Sequence, residues 1–316
     1  IMSKYIVLIL SFLCTSFVTF SQMGAGFYKT DIGVKVGAAN YLGEIGGLEK
    51  TRRNFVWDMK IPQTRSSASV FGRYKFNDYV AANVAFNYNR IKGDDNLSTN
   101  PGRVNRNLRF VNNIFDFTSR AEGYFYKISD VGNRGRYYVS FEAYGHAGVT
   151  AFYSNPKGSL DGNSWTPLAP LQTEGVDYKQ FGVGIPAGLG FFFTIKKKHR
   201  IGWDLTWVTT FSDYLDDISG VYADPASLGS SEAVALANQT AAVTSDPSVL
   251  ASYAPPSENN NGKRGDPTHN DSYMYMNLSY SYVLKGRYKG NFSTGKYGNK
   301  KRKRKTVRKE RVKLSE

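Results

Sequence analysis

Apolar and polar residues alternate with a period of two in eight separate segments of the chain. These segments are residues 31–41, 66–76, 79–89, 114–126, 137–153, 178–195, 200–211 and 272–284. Successive side chains of a β-strand point to opposite faces, so each segment predicts a strand with one apolar face and one polar or small face. In the third segment, for example, Val80, Val84 and Phe86 alternate with Asn83 and Asn87. The pattern therefore predicts an all-β protein with eight strands.

One residue does not fit its strand. Pro186 lies inside segment 178–195, and proline has no N–H to donate to a neighbouring strand. A β-bulge is the usual accommodation for a proline inside a sheet. Because the alternation continues on both sides of Pro186, we predict a strand with a bulge at this position.

The connections between the predicted strands alternate between short and long. Those near 77–78, 128–135 and 196–199 are short, whereas those near 43–65, 92–112, 154–177 and 213–270 are long. Outer-membrane barrels have short periplasmic turns and longer extracellular loops. A soluble β-sandwich has no reason to sort its connections in this way. The sequence therefore predicts an eight-stranded antiparallel up-and-down transmembrane β-barrel in the outer membrane, with long extracellular loops and both chain ends on the periplasmic side.

Residues 1–22 have the order of a secretory signal peptide, with a lysine near the start, the apolar run Tyr5–Val18 and a small or polar exit. The apolar run is too short for a membrane-spanning helix, which needs ~20 residues. A lipoprotein signal acylated at Cys14, the one cysteine of the chain, is the alternative, but the bulky Leu13 precedes it. We expect a signal peptide over 1–22, a barrel over 23–286 and a tail over 287–316.

The composition and charge agree with an exported barrel that carries a separate basic tail. The chain has 22 Tyr, 20 Phe and 31 Gly, as is typical of β-rich membrane proteins. Its net charge is +15, of which residues 287–316 supply +11, because they hold 13 Lys or Arg against Glu310 and Glu316. Export excludes a nuclear role for this tail, and we expect no nucleic-acid partner.

Eight charged residues face the interior of the predicted barrel. A barrel of eight strands encloses a space that side chains fill. Lys or Arg on the lipid side would cost about 2–4 kcal/mol each at the middle of the bilayer, which favours the inward assignment. Equal numbers of each sign predict a compensated network that occludes the lumen. The residues are Lys35, Arg73, Lys75, Arg120, Asp116, Glu122, Glu142 and Asp204.

The sequence has little that suggests catalysis. Its three histidines, His146, His199 and His269, fall at different heights of the predicted barrel, whereas catalytic groups must meet within hydrogen-bond reach. We therefore expect no enzyme activity and no cofactor.

Two features of the long outer loop 213–270 bear on binding. Its start, "DYLDD", has three carboxylates at the outer rim that suit a hard cation, although their spacing does not match an EF-hand. Further on, a short helix is predicted near residues 232–239, and the proline- and asparagine-rich end is expected to be flexible.

Several stretches resemble the PorG family of outer-membrane barrels from Bacteroidetes. They are "AANYLGEIGG", "FGRYKFND", "NYNRIKGDD", "RNLRFVNNIFDF", "NPKGSLDGNSWTPLAPLQTEG" and "TTFSDYLDDISGVYADP", in order between residues 30 and 225. The resemblance implies a non-enzymatic accessory of the type IX secretion and gliding machinery. It also implies association with a periplasmic ring of the PorK/PorN or GldK/GldN type. The family includes barrels without a secretion role, so a general structural or adhesion barrel is the alternative.

Three interpretations of the basic tail remain open. It binds the periplasmic ring, it lies on anionic lipid or lipopolysaccharide, or it is a solvated, disordered end, as runs of like charge usually are. Screening limits its reach to about 8 Å at physiological salt, so any partner must present an acidic patch. The candidate binding residues are Lys300, Lys301, Arg302, Lys303, Arg304, Lys305, Arg308, Lys309 and Arg311.

Overall fold

The computed structural model describes residues 29–45, 61–132, 139–258 and 260–284. The predicted signal peptide and the basic tail lie outside these ranges. The strands are β1 (Thr30–Leu42), β2 (Arg65–Lys75), β3 (Val80–Asp94), β4 (Arg109–Ile128), β5 (Val139–Tyr153), β6 (Pro156–Gly158), β7 (Thr166–Pro167), β8 (Phe181–Ile195), β9 (His199–Thr210) and β10 (Ser272–Leu284). The α-helices are α1 (Pro101–Arg106), α2 (Ser231–Ala237) and α3 (Pro247–Ser252).

Eight of the strands form a closed antiparallel barrel, which confirms the predicted fold. The order around the barrel is β1, β2, β3, β4, β5, β8, β9 and β10, and β10 pairs with β1. Closure gives every barrel strand two neighbours, so no backbone edge remains to be satisfied by water. The short strands β6 and β7 extend β4 beyond the barrel. Two- and three-residue strands are too short to produce a detectable alternation in the sequence.

The outward face of the barrel is apolar, as the alternation predicts. Side chains such as Val34 (50% exposed), Phe117 (56%) and Leu278 (65%) project from the wall. Their neighbours along the strands, such as Asn277 and Asp116, are buried inside. This surface suits contact with hydrocarbon, because a barrel in water buries its apolar face instead. Among the described residues, no helix is long and apolar enough to cross a bilayer.

Glycines on β8 make room for large lumen side chains of β5. A Cβ on Gly188 would lie 2.9 Å from the ring of His146, and one on Gly190 would lie 2.6 Å from the ring of Tyr144. Real side chains do not approach so closely. The glycine-rich inward face of β8 therefore results from the space that these two rings occupy.

The prediction of a bulge at Pro186 is wrong. The register between β5 and β8 is the same on both sides of Pro186, and only the pairs at Gly148 and Val149 are missing. Loss of local pairing thus accommodates the absent N–H without an extra residue. A register shift occurs instead in β4, between Tyr124 and Tyr126.

Two connections show why the chain turns or becomes helical where it does. Between β2 and β3, the side chain of Asn77 accepts hydrogen bonds from the backbone N–H groups of Tyr79 and Val80, each at 2.8 Å. This arrangement holds the short turn that the sequence predicts. Helix α2 begins where the hydroxyl of Ser230 accepts from Ala233 N at 3.0 Å, an N-cap that satisfies a free helical N–H.

We expect Val34→Arg to destabilise the barrel by about 2–4 kcal/mol, because the charge would enter hydrocarbon near mid-strand. Urea unfolding in lipid vesicles measures the change in free energy. The control is Val243→Arg, since Val243 is 43% exposed but lies outside the barrel wall. That change should alter stability by less than about 0.5 kcal/mol. Equal effects at both sites would contradict a lipid-facing wall.

Candidate functional site

All eight charged residues predicted for the lumen lie inside the barrel. None of them is more than 7% exposed. They occupy β1, β2, β4, β5 and β9, so they converge from most of the circumference. Their burial means that each charge must find its partners within the protein.

Asp204 is the centre of this network. Its carboxylate accepts from both terminal nitrogens of Arg120, at 3.2 Å and 2.8 Å. Lys35 Nζ lies 3.2 Å from the same carboxylate, and the Tyr144 hydroxyl donates to it at 2.8 Å. One carboxylate therefore joins side chains of β1, β4, β5 and β9 across the lumen.

A second group of ion pairs continues from Arg120 towards the end of the barrel where the short turns lie. Glu122 lies 3.5 Å from Arg120 Nη2 and 2.7 Å from Arg73 Nε. Arg73 also contacts Asp31, at 3.4 Å, and Asp31 pairs with Arg200. Asp31 and Arg200, near the starts of β1 and β9, are buried lumen residues beyond the eight that were predicted. Both lie on the polar face of their alternating segments, and this position in the sequence could have identified them.

Asp116 does not follow the expectation of a charge-compensated network. Among the described residues it forms no ion pair, and neutral groups donate hydrogen bonds to it instead: Asn87 Nδ2 at 2.6 Å, Asn89 Nδ2 at 2.9 Å and Tyr273 OH at 3.1 Å. Lys75, by contrast, pairs with Glu142 at 2.5 Å. Amide and hydroxyl donors of β3 and β10 thus stabilise one of the predicted lumen carboxylates.

The three histidines are not brought together. His146 is buried in the lumen, 3.3 Å from Arg120 Nη1. His199 begins β9 and hydrogen-bonds the Tyr280 hydroxyl at 2.9 Å, while His269 is exposed in the loop before β10. Within the described ranges, no group of three or more His, Cys, Asp or Glu side chains has a geometry that would hold a metal ion.

The long loops fold into a cap over the end of the barrel opposite the short turns. We call it the outer cap after the predicted orientation; it is formed by the described parts of residues 43–45, 95–108, 154–180 and 211–271. Arg106 fixes one side of it. Its guanidinium makes a two-pronged contact with Asp95, at 2.8 Å and 3.1 Å, and donates to the carbonyl oxygens of Arg264 at 2.8 Å and Glu44 at 3.1 Å. Three loops are therefore held by one buried side chain.

Arg264 fixes the other side of the outer cap. It donates to Glu174 Oε1 at 3.0 Å, to the carbonyl of Asp217 at 2.6 Å and to the carbonyl of Ala237 at 3.2 Å. Helix α2 confirms the short helix predicted near 232–239. Arg264 follows the proline- and asparagine-rich stretch, whose flexibility stays a prediction, and ties the chain to α2 and to the loop after β9.

The "DYLDD" segment lies inside the outer cap and not on its rim. Leu215 and Ile218 enter the outer end of the barrel and pack in a cluster with Phe110 and Tyr273. The backbone carbonyl of Leu215 accepts from Asn112 Nδ2 at 2.8 Å. All three carboxylates of the segment are buried, at 8% exposure or less. Alternation could not predict this burial, because the segment follows the end of its strand.

Four buried carboxyl groups meet beneath the cap: Glu44, Asp213, Asp216 and Asp271. Burial raises the pKa of Glu44 to about 7, against the opposing charge of Arg106. Burial, together with the charge of Glu44, raises the pKa of Asp216 to about 8. Burial and the charge of Asp216 also raise the pKa of Asp271 well above its ordinary value. The Tyr41 hydroxyl donates to Asp271 at 2.6 Å, so the cluster is held by neutral donors and retained protons.

Removing the central carboxylate should be costly. Asp204→Asn leaves Arg120 and Lys35 buried without their main counter-charge, so we expect a loss of about 3–5 kcal/mol in the free energy of unfolding. The control is Asp78→Asn, because Asp78 is 74% exposed and pairs with Lys127 at a short turn. Its cost should be below about 1 kcal/mol. Equal losses in urea unfolding would show that the lumen network is not a stability determinant.

The outer cap should weaken as pH rises. A carboxyl group whose pKa is raised in the folded state keeps its proton there while the unfolded chain loses it. Stability therefore falls between about pH 4 and pH 8, by up to about 1.4 kcal/mol per pH unit for each such group. Asp216→Asn should flatten the dependence of unfolding free energy on pH over that range, and Asp177→Asn, at an exposed loop position, should not. Parallel pH profiles for the wild-type chain and Asp216→Asn would contradict the retention of a proton by Asp216 in the folded state.

Comparison with solved structures finds bacterial surface proteins of low identity. Ail, the attachment invasion locus protein of Yersinia pestis, is 10% identical; the match covers 81% of this chain and 99% of that one, with a TM-score of 0.34. Neisserial surface protein A is 9% identical over 83% and 99% of the two chains, with a TM-score of 0.33. OprG of Pseudomonas aeruginosa is 10% identical over 82% and 95%, with a TM-score of 0.34. No curated protein sequence shows significant similarity.

One family model matches most of the barrel sequence. It is described as a domain of unknown function, DUF6089, and matches residues 4–228. The match includes nine of the ten strands and ends within the loop that follows β9. Because it extends over more than half of the chain, this protein belongs to the DUF6089 family.

Proposed function

We propose that this protein is an outer-membrane accessory component of the type IX protein secretion and gliding machinery, which anchors or positions the periplasmic ring. The observation that carries the proposal is the filled lumen. Ion pairs centred on Asp204 and the apolar cluster around Leu215 occupy the interior of the described barrel. A barrel filled in this way leaves no open channel through the described lumen, which supports a protein that acts through the surfaces at its two ends.

The basic end of the barrel supports a periplasmic partner. Lys127, Lys197 and Lys198 are exposed where the short turns lie, and β10 ends at Leu284 on the same side. In the sequence, residues 287–316 hold a further 13 Lys or Arg and two Glu. The resemblance to the PorG family names the candidate partner, a ring of the PorK/PorN or GldK/GldN type. Outer-membrane lipid and lipopolysaccharide are the other anionic partners of such a surface.

A strain whose protein stops after Lys289 tests the proposal. We expect the barrel to insert normally, because the described barrel strands all precede this point. Export of the native secreted proteins and pull-down of the ring should both be lost. Heat-modified mobility on gels measures insertion, and secretion and pull-down are measured in the same strain.

The matched control keeps the tail at full length and replaces its nine clustered basic residues, from Lys300 to Arg311, with glutamine. If this variant also loses export and pull-down, the positive charge of the tail is needed for docking. If it keeps both, the presence of the tail is needed and its charge is not. Retained export and pull-down in both strains would remove the tail from docking. Normal export after deletion of the whole gene would defeat the secretion proposal.

The second candidate function is a general structural or adhesion barrel without a role in secretion. The folded outer cap favours it, because buried Arg106 and Arg264 hold the long loops in one arrangement that presents a defined surface. Deletion of the gene separates the two candidates: a secretion component alters export, whereas an adhesion barrel alters surface attachment and leaves export unchanged.

A further inference from the structure

A pocket of about 360 Å³ opens at the short-turn end of the barrel. The ends of β4, β5, β8 and β9 surround it, and every residue that lines it has a polar or charged side chain. We call it the short-turn mouth. Its lining residues are Lys127, Ser129, Ser140, Glu142, Thr194, Lys197 and Arg200.

The short-turn mouth has an excess of positive charge. Three cations and one carboxylate line it, which leaves a net charge of +2. Glu142 is already held by Lys75 at 2.5 Å, while Lys127 lies 3.9 Å from Glu142 and 3.3 Å from the exposed carboxylate of Asp78. Lys197 has no ion-pair partner among the residues that the structure describes. Arg200 pairs with Asp31, but its buried Nε has no hydrogen-bond partner there. These donors suit an anionic group entering from outside the barrel.

The turn beside the pocket supports the same conclusion from backbone geometry. Lys196 and Lys197 both have positive φ, at 52° and 56°, and Lys198 N donates to Ile195 O at 3.1 Å. This is the pattern of a two-residue hairpin turn in which asparagine and glycine are strongly preferred. Two lysines in these positions are unfavourable for the backbone. Binding of an anionic group would explain why lysines occupy this turn, because strained backbone positions often lie at binding sites.

Three possible occupants differ in how well they fit. The tail of this chain has the same sign of charge as the pocket, so it is repelled. Lipid headgroups surround the outer wall, whereas Ser140, Glu142 and Arg200 lie on the inward face of their strands, as their register shows. An acidic peptide from the aqueous side fits both the charge and the position.

We propose that the short-turn mouth is a docking pocket for an acidic peptide segment of a periplasmic protein, with Lys127, Lys197 and Arg200 as the carboxylate-binding residues. The orientation, with this mouth in the periplasm, rests on the proposed function. The mouth is a site distinct from the basic tail, and it gives the barrel itself a means of contact with the periplasmic partner.

Binding of a fluorescent hexaglutamate peptide to the full chain in detergent micelles tests the proposal. We expect saturable binding at physiological salt, weakened about tenfold or more by Lys127→Gln combined with Lys197→Gln, because two charge-assisted contacts are lost. The matched control is Lys300→Gln with Lys301→Gln, which removes the same charge from the tail. It should weaken binding less than about twofold. Equal weakening by the two pairs would mean that the peptide senses total charge only, and would overturn the proposal.

A local measurement shows where the peptide lies. Ser129→Cys introduces a thiol at an exposed lining position, and hexaglutamate should slow its reaction with a maleimide several-fold. Ser248→Cys, exposed on α3 of the outer cap, should react at an unchanged rate, as should both thiols with hexaglutamine. Protection of the thiol at position 129 by phosphatidylglycerol or by inorganic phosphate alone, without protection by hexaglutamate, would replace the proposal with a lipid or small-anion site.

The failure of this proposal is distinguishable from that of the secretion role. If the mouth variant binds hexaglutamate like the wild type while tail truncation abolishes export, the mouth proposal fails and the secretion role stands. If hexaglutamate protects position 129 but deletion of the gene leaves export normal, the mouth is a docking pocket for another periplasmic protein. In that case the secretion role fails alone.

Discussion

The structure depends on the compensation of charge inside a barrel too narrow for bulk water. Each inward polar group must find its partner on another strand, since unsatisfied buried charges cost several kcal/mol. Asp204 meets this requirement for Arg120 and Lys35 at once. The same closure fixes the outer face, because inward polar residues force their neighbours along each strand towards lipid. The need to pair inward polar groups thus explains both the apolar outer wall, which suits lipid, and the network of paired side chains in the lumen.

The outer cap extends this principle beyond the strands. Two arginines, Arg106 and Arg264, donate to backbone carbonyls of loops far apart in sequence. Such contacts satisfy carbonyl groups that buried loops would otherwise leave unpaired. The carboxyl cluster around Asp216 lies beneath these arginines and depends on protons in place of cations. Buried carboxyl groups are therefore stabilised in two ways. In the lumen most of them form ion pairs, whereas those of the cluster under the outer cap retain their protons.

The segment "TTFSDYLDDISGVYADP" closes the end of the barrel where the long loops lie, because Leu215 and Ile218 pack into the cluster with Phe110 and Tyr273. Basic side chains such as Lys127 and Lys197 are exposed at the opposite end of the barrel, where the short turns lie. The two ends of the described barrel therefore differ, with folded loops at one end and exposed basic side chains at the other.

Alternation along the sequence was sufficient to determine the eight barrel strands, their faces and the inward position of residues such as Lys35 and Asp204. A period of two is a local property of the sequence. In a bilayer, a shift of a strand by one residue would turn its polar side chains towards lipid and destabilise the barrel. Pairings between distant residues are not local. The bond of Asp31 to Arg200, the neutral donors around Asp116 and the loop contacts of Arg264 join positions up to 169 residues apart, and no periodic signal records them. Only the closed tertiary structure decides these contacts, because it alone brings strand ends and loops from both halves of the chain to the same place.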